Sequence, residues 1–212
     1  MSRVLLATRN AKKLAELQRI VGGSVRVLGL ADVAAFDEEP ETGATFEENA
    51  AAKAEQAARE TGEVSLADDS GLTVDALNGM PGVLSARWSG RHGDDAANTA
   101  LLLAQIADVP DDRRGAAFVC ALALSVPDER VRMVRAEWPG RIAREPVGSN
   151  GFGYDPVFVP VESDTAGDGR TSAELAGSEK DRLSHRGRAL AAILPELTAV
   201  LDRSRPSAGQ PA

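Results

Sequence analysis

Two carboxylates in succession, Asp68 and Asp69, close the apolar run at residues 64–67 and are followed at once by Ser70 and Gly71. Adjacent aspartates beside a hydroxyl can hold a hard cation or take a proton from water. If residues 64–67 form a strand, the pair stands at its carboxyl end, the edge of an open α/β sheet where ligands gather. Strand alternation then sends the two side chains to opposite sides, with different tasks. Asp-Ser-Gly is equally a turn signature, so this stretch alone leaves a turn and a site both open. Other groups with chemical capacity lie far away in sequence. They are Thr8, Asn10 and Lys13, Glu41, Lys53, the aromatic pair Phe152 and Tyr154 with Asp155, then Lys180, His185 and Arg186.

The elements that must bring these together can be read from periodicity. Residues 4–7 suit a short buried strand, the polar run Thr8-Arg9-Asn10-Ala11-Lys12-Lys13 a turn, and Leu14, Leu17 and Val21 recur at helical spacing. Thr8 and Asn10 are capping types, and a helix amino terminus offers free N–H groups to an anion. Lys13 falls in the first helical turn, where the dipole disfavours a cation, so a negative group beside it is expected. A solvated lysine is the plainer alternative. A second strand is expected near residues 24–28, then an acidic, turn-rich loop at 37–43 that carries Glu41. Thr45 and Glu48 form a capping-box pattern that opens an alanine-rich helix to about residue 59. Asn49, Lys53 and Gln56 share one face of it, which looks either into a cleft or into solvent.

Residues 72–74 read as a return strand and 94–107 as a helix capped by Asp94. Residues 116–126 and 131–138 read as an antiparallel hairpin that Arg141 and Ile142 extend, giving mixed pairing in one sheet. Three glycines surround Phe152 and Tyr154 in the run at 148–156. Aromatic residues make up only 4% of the chain, so two in a glycine loop suit stacking on a ring, with packing onto the core as the alternative. Residues 163–170 read as a mobile acidic loop. A last helix runs from the Ser184-His185-Arg186-Gly187 motif to about residue 201, and residues 204–212 read as a disordered tail.

Bulk properties narrow the classes. A chain of 212 residues suits one domain or two joined lobes. The formal net charge of −8 repels a polyanion, so no nucleic-acid partner is expected, whereas a small anion held by local cations fits. No apolar stretch approaches the roughly 20 residues of a membrane helix, and no signal peptide opens the chain, so a cytoplasmic protein with no membrane partner is expected. The single cysteine, Cys120, sits in an apolar run and reads as core filler. There is no GxxxxGK[ST] loop, Gly151-Phe152-Gly153 lacks the third glycine of a dinucleotide fingerprint, and nothing is spaced from His185 as a zinc site requires.

Carboxylates, separated cations and an aromatic loop are together what a nucleoside triphosphate needs: Mg²⁺ held by one or two carboxylates plus phosphates, charge neutralisation, and a face for the base. Six motifs in order carry a family resemblance: Thr8-Arg9-Asn10-Ala11-Lys12-Lys13, residues 41–50, Ala67-Asp68-Asp69-Ser70-Gly71-Leu72, residues 81–90, residues 151–156, and Ser184-His185-Arg186-Gly187. From Val4 to about Leu194 the chain resembles the HAM1 or inosine triphosphate pyrophosphatase family, which hydrolyses non-standard purine nucleoside triphosphates to monophosphates and pyrophosphate. The resemblance implies an α/β fold: an elongated mixed β-sheet flanked by helices, with two lobes and an active-site cleft between them. It implies a single domain over residues 1–203, usually a homodimer, with Mg²⁺ as cofactor and a small-molecule nucleoside triphosphate as substrate.

Carried over residue by residue, it implies that the run Thr8, Arg9, Asn10, Ala11, Lys12 and Lys13 binds the triphosphate and that Lys53 faces the phosphates. Glu41 and Asp69 serve the metal, Asp69 acts on the water, and Ser70 touches the substrate. Asp68 is either a second metal contact or a brace. Phe152, Gly153, Tyr154 and Asp155 hold the base, with Phe152 stacking, and Lys180, His185 and Arg186 complete the contacts. Three departures stand out: Arg9 where the family often has glycine, which places an extra cation near the phosphates, Trp88 where it often has tyrosine, and a longer segment at 163–170. Two other readings compete: a Maf-like pyrophosphatase for modified nucleotides, against which the Ser-His-Arg motif and the glycine-aromatic loop argue, and a nucleotide-sensing module without turnover.

Overall fold

A computed structural model describes residues 3–21 and 25–203. The expected tail at 204–212 and the start of the second expected strand, Ser24, lie outside the described residues. The side chain of Lys12 does too.

The order of elements is β1 (Arg3–Leu6), α1 (Ala11–Val21), β2 (Arg26–Leu28), α2 (Phe46–Thr61), β3 (Ser65–Val74), α3 (Asp95–Gln105), β4 (Gly115–Ser125), β5 (Arg132–Ile142), β6 (Phe158–Pro160), α4 (Val161–Ala166), α5 (Gly177–Leu183) and α6 (His185–Arg203). The six strands form one mixed sheet in the order β2-β1-β3-β4-β5-β6. β1 is parallel to both neighbours, with Val4 opposite Val27 and Leu5 opposite Ser65, and β5 is antiparallel to β6, with Arg141 opposite Val159. Crossovers through α1 and α2 give the parallel pairs, whereas the antiparallel β5 and β6 are joined by the long segment 143–157. The α/β class and the mixed sheet expected from the sequence are what the chain forms.

Two compact units divide the chain. One comprises Met1–Asp69, Ala121–Arg135 and Ala189–Ala212, the other Ser70–Cys120 and Ala136–Arg188. The first holds Leu5, Leu28 and Ala57, with Ala7, Leu30, Val33 and Phe36 packed against them. The second is built on an aromatic core, in which Phe118 meets Phe158 edge-on at 4.6 Å and Trp138 lies 5.4 Å from Phe158.

Three expectations need correction. The aspartates do not end a strand, and no turn follows them: β3 continues through Asp68-Asp69-Ser70-Gly71, and residues 72–74 are its last part rather than a return strand. The buried residues Leu66 and Ala67 on one side and Leu72 and Val74 on the other hold the intervening segment extended, so pairing overrides local turn preference. What ends there is the neighbour, since β1 stops at Leu6, opposite Leu66. The segment 163–170 is no mobile loop. Its first half completes α4, which Gly167 ends in the left-handed region (φ 78°), and Arg170 ties Asp168 to Glu179. Pro160 before the helix and Gly167 after it are start and stop signals that the acidic composition obscured. The capping box at α2 is also offset: Thr45 accepts from Glu48 N at 3.1 Å, but the Glu48 carboxylate accepts from Ala44 N at 2.6 Å instead of from Thr45.

Candidate active site

In the first unit, the chain leaves β1 and turns into α1 through a local hydrogen-bond ladder. Thr8 Oγ1 accepts from Asn10 N at 3.2 Å, and Asn10 Oδ1 accepts from Lys13 N at 3.3 Å, so Asn10 caps the helix. Lys13 in the first turn has the expected negative neighbour: its Nζ is 2.8 Å from Asp68 Oδ2, with the carboxylate side chain only 4% exposed. Arg9 points elsewhere, pairing with Glu38 at the solvent edge. Thr8, Arg9, Asn10 and Ala11, together with Leu30, Phe36 and Glu38, line a cavity of about 470 Å³.

The polar face of α2 is buried, which decides between cleft and solvent. Asn49 and Gln56 are 3% and 6% exposed. Gln56 grips the acidic loop twice, accepting from Glu39 N at 3.0 Å and donating to Asp37 O at 2.8 Å. Lys53 Nζ donates to Glu41 Oε1 at 2.9 Å and to the Asp68 carbonyl at 2.8 Å, and lies 3.8 Å from Asp69 Oδ1. Asn49 Nδ2 donates to Asp69 Oδ2 at 2.9 Å. Adjacent in β3, the two aspartates thus face different helices, Asp68 meeting α1 and Asp69 meeting α2, as strand alternation requires. Ser70 follows them, half-buried.

Charge is concentrated here. Burial pushes the Asp69 carboxyl up, Lys53 and the Asn49 amide offset part of this, and Glu41 adds to it. For Lys53, burial alone would lower the ammonium, yet Asp69, Asp68 and Glu41 together raise it. Both members of the Asp69–Lys53 pair therefore shift upward. The asymmetry is physical: one ammonium gathers three carboxylates, whereas Asp69 shares its single nearest cation with Glu41. Among the described residues no three His, Cys, Asp or Glu side chains are already gathered as a metal cage. The donor set nevertheless fits Mg²⁺: hard oxygens on Glu41 and Asp69, mutually repelling and bridged by an ammonium, suit an ion that takes one or two carboxylates and completes its shell with phosphates and water.

In the second unit, the loop after residue 150 is built around Asp155, which is 2% exposed. Its carboxylate accepts from Phe152 N at 2.8 Å and from Ser172 Oγ at 2.7 Å, and pairs with Lys180 on α5. Gly151 has φ 81°, and a Cβ there would stand 2.0 Å from Asp155 Oδ2, so only glycine fits. Asp95, in the first turn of α3, accepts from Gly153 N at 2.7 Å. The two aromatics part company. Phe152 keeps a partly open ring, with Lys180 Nζ 5.6 Å and the Arg186 guanidinium 5.7 Å from its centroid. Tyr154 is 4% exposed and donates its hydroxyl to Ser85 O at 2.9 Å; burial, with a smaller push from Asp95, raises its pKa so that it stays a neutral phenol. His185 is 6% exposed and stacked on Phe118 at 5.0 Å, with Arg186 8% exposed beside it.

The first unit therefore assembles Thr8, Asn10, Lys13, Glu41, Lys53, Asp68 and Asp69, and the second assembles Phe152, Asp155, Lys180 and Arg186. Sequence reasoning gave no structural task to Ser172 or Asp95, and nothing in their spacing signals one. Asn49 and Gln56 were visible as a polar stripe without a purpose.

Comparison with known proteins finds relatives over nearly the whole chain. Residues 4–196 match the model of the Ham1 family. A dITP/XTP pyrophosphatase of Nocardia farcinica is 62% identical over 208 residues, which cover 96% of this chain and 98% of that protein. One from Mycolicibacterium paratuberculosis is 64% identical over 201 residues, 93% of this chain and 96% of that one. Among solved structures, the nucleoside-triphosphatase / dITP/XTP pyrophosphatase of Mycobacterium abscessus superposes with a TM-score of 0.75 at 61% identity, covering 91% of this chain and 99% of that one. A HAM1 protein from Coxiella burnetii gives 0.82 at 42% identity, covering 94% and 100%. Matched by the family model over residues 4–196 and 62–64% identical to these relatives over more than nine tenths of its length, this chain belongs to the Ham1 family.

Proposed function

We propose that this chain is a nucleoside triphosphate pyrophosphatase that hydrolyses dITP, ITP and XTP to the monophosphate and pyrophosphate, removing non-canonical purines from the nucleotide pool. The observation that carries the reading is the convergence of Glu41, Asp69, Lys53 and Lys13 around adjacent residues of one strand. A carboxylate pushed upward by burial is a stronger base than an exposed one, and Asp69 takes the proton of the water that attacks the α-phosphorus. Thr8, Asn10 and the amides at the start of α1 orient the triphosphate, and Lys13 and Lys53 offset the charge on the departing pyrophosphate. Lys13 has three N–H donors, so its bond to Asp68 leaves others for phosphate. Glu41 and Asp69 would hold Mg²⁺, which as a Lewis acid supplies charge stabilisation at the phosphate oxygens.

Base selection follows from donor chemistry. Lys180 and Arg186 carry only donors, and both flank the Phe152 ring. A purine stacked there meets them favourably through a 6-keto acceptor, whereas the 6-amino group of adenine sets donor against donor. Residues 1–203 are proposed to act as one catalytic domain, as a homodimer in the cytoplasm. Among the described residues no helix is long and apolar enough to cross a membrane.

The deciding experiment is a panel of nucleoside triphosphates with Mg²⁺, measuring pyrophosphate. Release from dITP and XTP well above dATP is expected. No release from either, or faster turnover of dATP, would refute the reading, and binding of ITP without hydrolysis would favour a sensing module instead.

A further inference from the structure

The loop that carries Glu41 and the strand that carries Asp69 are separate stretches of chain, and two side chains of α2 join them: Lys53, through the Glu41 carboxylate itself, and the buried Asn49, through the backbone of the loop. Asn49 Oδ1 accepts from Gly43 N at 2.8 Å, and Asn49 Nδ2 donates to Asp69 Oδ2 at 2.9 Å. The amide has no freedom to turn over. A backbone N–H can only donate, so the oxygen must face Gly43, and the nitrogen is thereby aimed at the carboxylate. Asn49 is 3% exposed, so water cannot substitute for either bond without rearrangement. Gly43 is fitted to the same contact: a Cβ there would come within 2.6 Å of Asn49 Oδ1 and 2.8 Å of Glu48 Cβ.

We propose that Asn49 is a positioning residue that locks the Asp69 carboxylate to the backbone two residues beyond Glu41, so that the two carboxylates keep one arrangement. The inference rests on the pyrophosphatase reading above, in which Glu41 and Asp69 serve the metal. Asn49 acts through Asp69 and touches none of the groups assigned to the nucleotide. Its loss therefore falls on turnover and on metal affinity, not on nucleotide binding. Gln56 grips the same loop but reaches only Asp37 and Glu39, which makes Asn49 the one member of the α2 stripe whose amide meets the reacting carboxylate.

The test compares Asn49→Ala, Gly43→Ala, Asp69→Asn and the Asn49→Ala/Asp69→Asn double variant, each checked for folding by far-UV circular dichroism. Two quantities are read: steady-state pyrophosphate release from dITP, and Mn²⁺ binding to the nucleotide-free chain followed by electron paramagnetic resonance. For Asn49→Ala, kcat should fall by about 10–100-fold, the range for residues that orient a metal-binding carboxylate, with KM within about threefold of wild type. Mn²⁺ affinity should weaken by a similar factor in the wild-type background and by less than about twofold once Asp69 is already asparagine, because the coupling runs through that carboxylate. Gly43→Ala, which presses on the same amide from the other side, should repeat the pattern and decides the matter if Asn49→Ala does not fold. Retained kcat and Mn²⁺ affinity, an effect confined to KM, equal losses in both backgrounds, or a wild-type chain that binds no Mn²⁺ would overturn the proposal. A wild-type chain that binds Mn²⁺ but releases no pyrophosphate would sink the functional reading alone, leaving the Mn²⁺ cycle to judge Asn49.

Discussion

Substitution of Lys13 by methionine separates bracing from binding. Lys13 Nζ stands 2.8 Å from Asp68 Oδ2, and the two side chains are 16% and 4% exposed. Removing the ammonium takes from the buried Asp68 carboxylate the cation 2.8 Å from it, and breaking a buried pair from one side costs roughly 3–5 kcal/mol. Lys13 keeps some solvent contact, so the lower end, about 3 kcal/mol, is the expected loss. In a chain of 212 residues each kcal/mol moves the melting temperature by about 2–4 °C, which predicts a fall of about 6–12 °C for Lys13→Met. Adding Asp68→Asn removes the buried charge as well, so the double variant should recover all but about 1 kcal/mol, since buried pairs and neutral replacements of similar volume differ little. Activity should not recover with stability. Both variants lack a cation for the triphosphate, and KM for dITP should stay raised in the double variant. The measurements are thermal unfolding at pH 7 and steady-state pyrophosphate release. A Lys13→Met chain that melts within about 2 °C of wild type, or a double variant no more stable than the single one, would refute the bracing role of Asp68. Recovery of KM together with stability would show that Lys13 serves the fold and not the substrate.

Two further outcomes follow from the same geometry. Phe152→Ala removes the open ring between Lys180 and Arg186; base stacking of this kind is worth about 1–3 kcal/mol, so kcat/KM for dITP should fall by roughly 5–150-fold with little change in melting temperature. Unchanged kcat/KM would remove the loop from base recognition. Asp69→Asn should lower kcat by about 10²–10⁴-fold, the usual contribution of a positioned general base, and an active Asp69→Asn chain would force its reassignment. The same variant should melt higher than wild type at pH 7. Because burial raises the folded-state pKa of Asp69, the native chain holds this proton to higher pH than the unfolded chain does. Its stabilising share is complete below the unfolded value of about 4 and is lost as pH rises through the folded value. The advantage of Asp69→Asn should therefore vanish on acidification, and a gap that persists below about pH 4 would contradict the assignment.

What the sequence could disclose depended on how local the cause was. Lys13 could be matched to a negative partner in advance because the conflict lay within one helical turn, and Asp68 supplied that partner at 2.8 Å. The division of labour between Asp68 and Asp69 followed from strand alternation alone, even though the strand boundary was misplaced by several residues. That boundary was hidden because Asp-Ser-Gly is a turn by local preference, while the pairing that straightens it comes from strands far off in sequence. Likewise the composition of the glycine loop presented Phe152 and Tyr154 as equals, and it took the family resemblance to single out Phe152 for stacking. The physical cause lies at Ser85 O, an acceptor sixty-nine residues away that draws Tyr154 inward and leaves Phe152 as the more open ring.

The same distinction explains why Asn49 looked like one more polar residue on a helix face. Its partners, Gly43 N and Asp69 Oδ2, are six and twenty residues away in opposite directions along the chain, and neither bond alone would mark it. Asn49 matters because one rigid amide must satisfy a donor and an acceptor at once, which fixes the distance between the loop of Glu41 and the carboxylate of Asp69. A carboxylate raised by burial is an effective base only while its neighbours keep it from turning away, so the buried stripe of α2 makes a costly charge usable. The motif around Glu41 and the motif around Asp69 are on this account a single functional unit, and α2 is the element that makes them one.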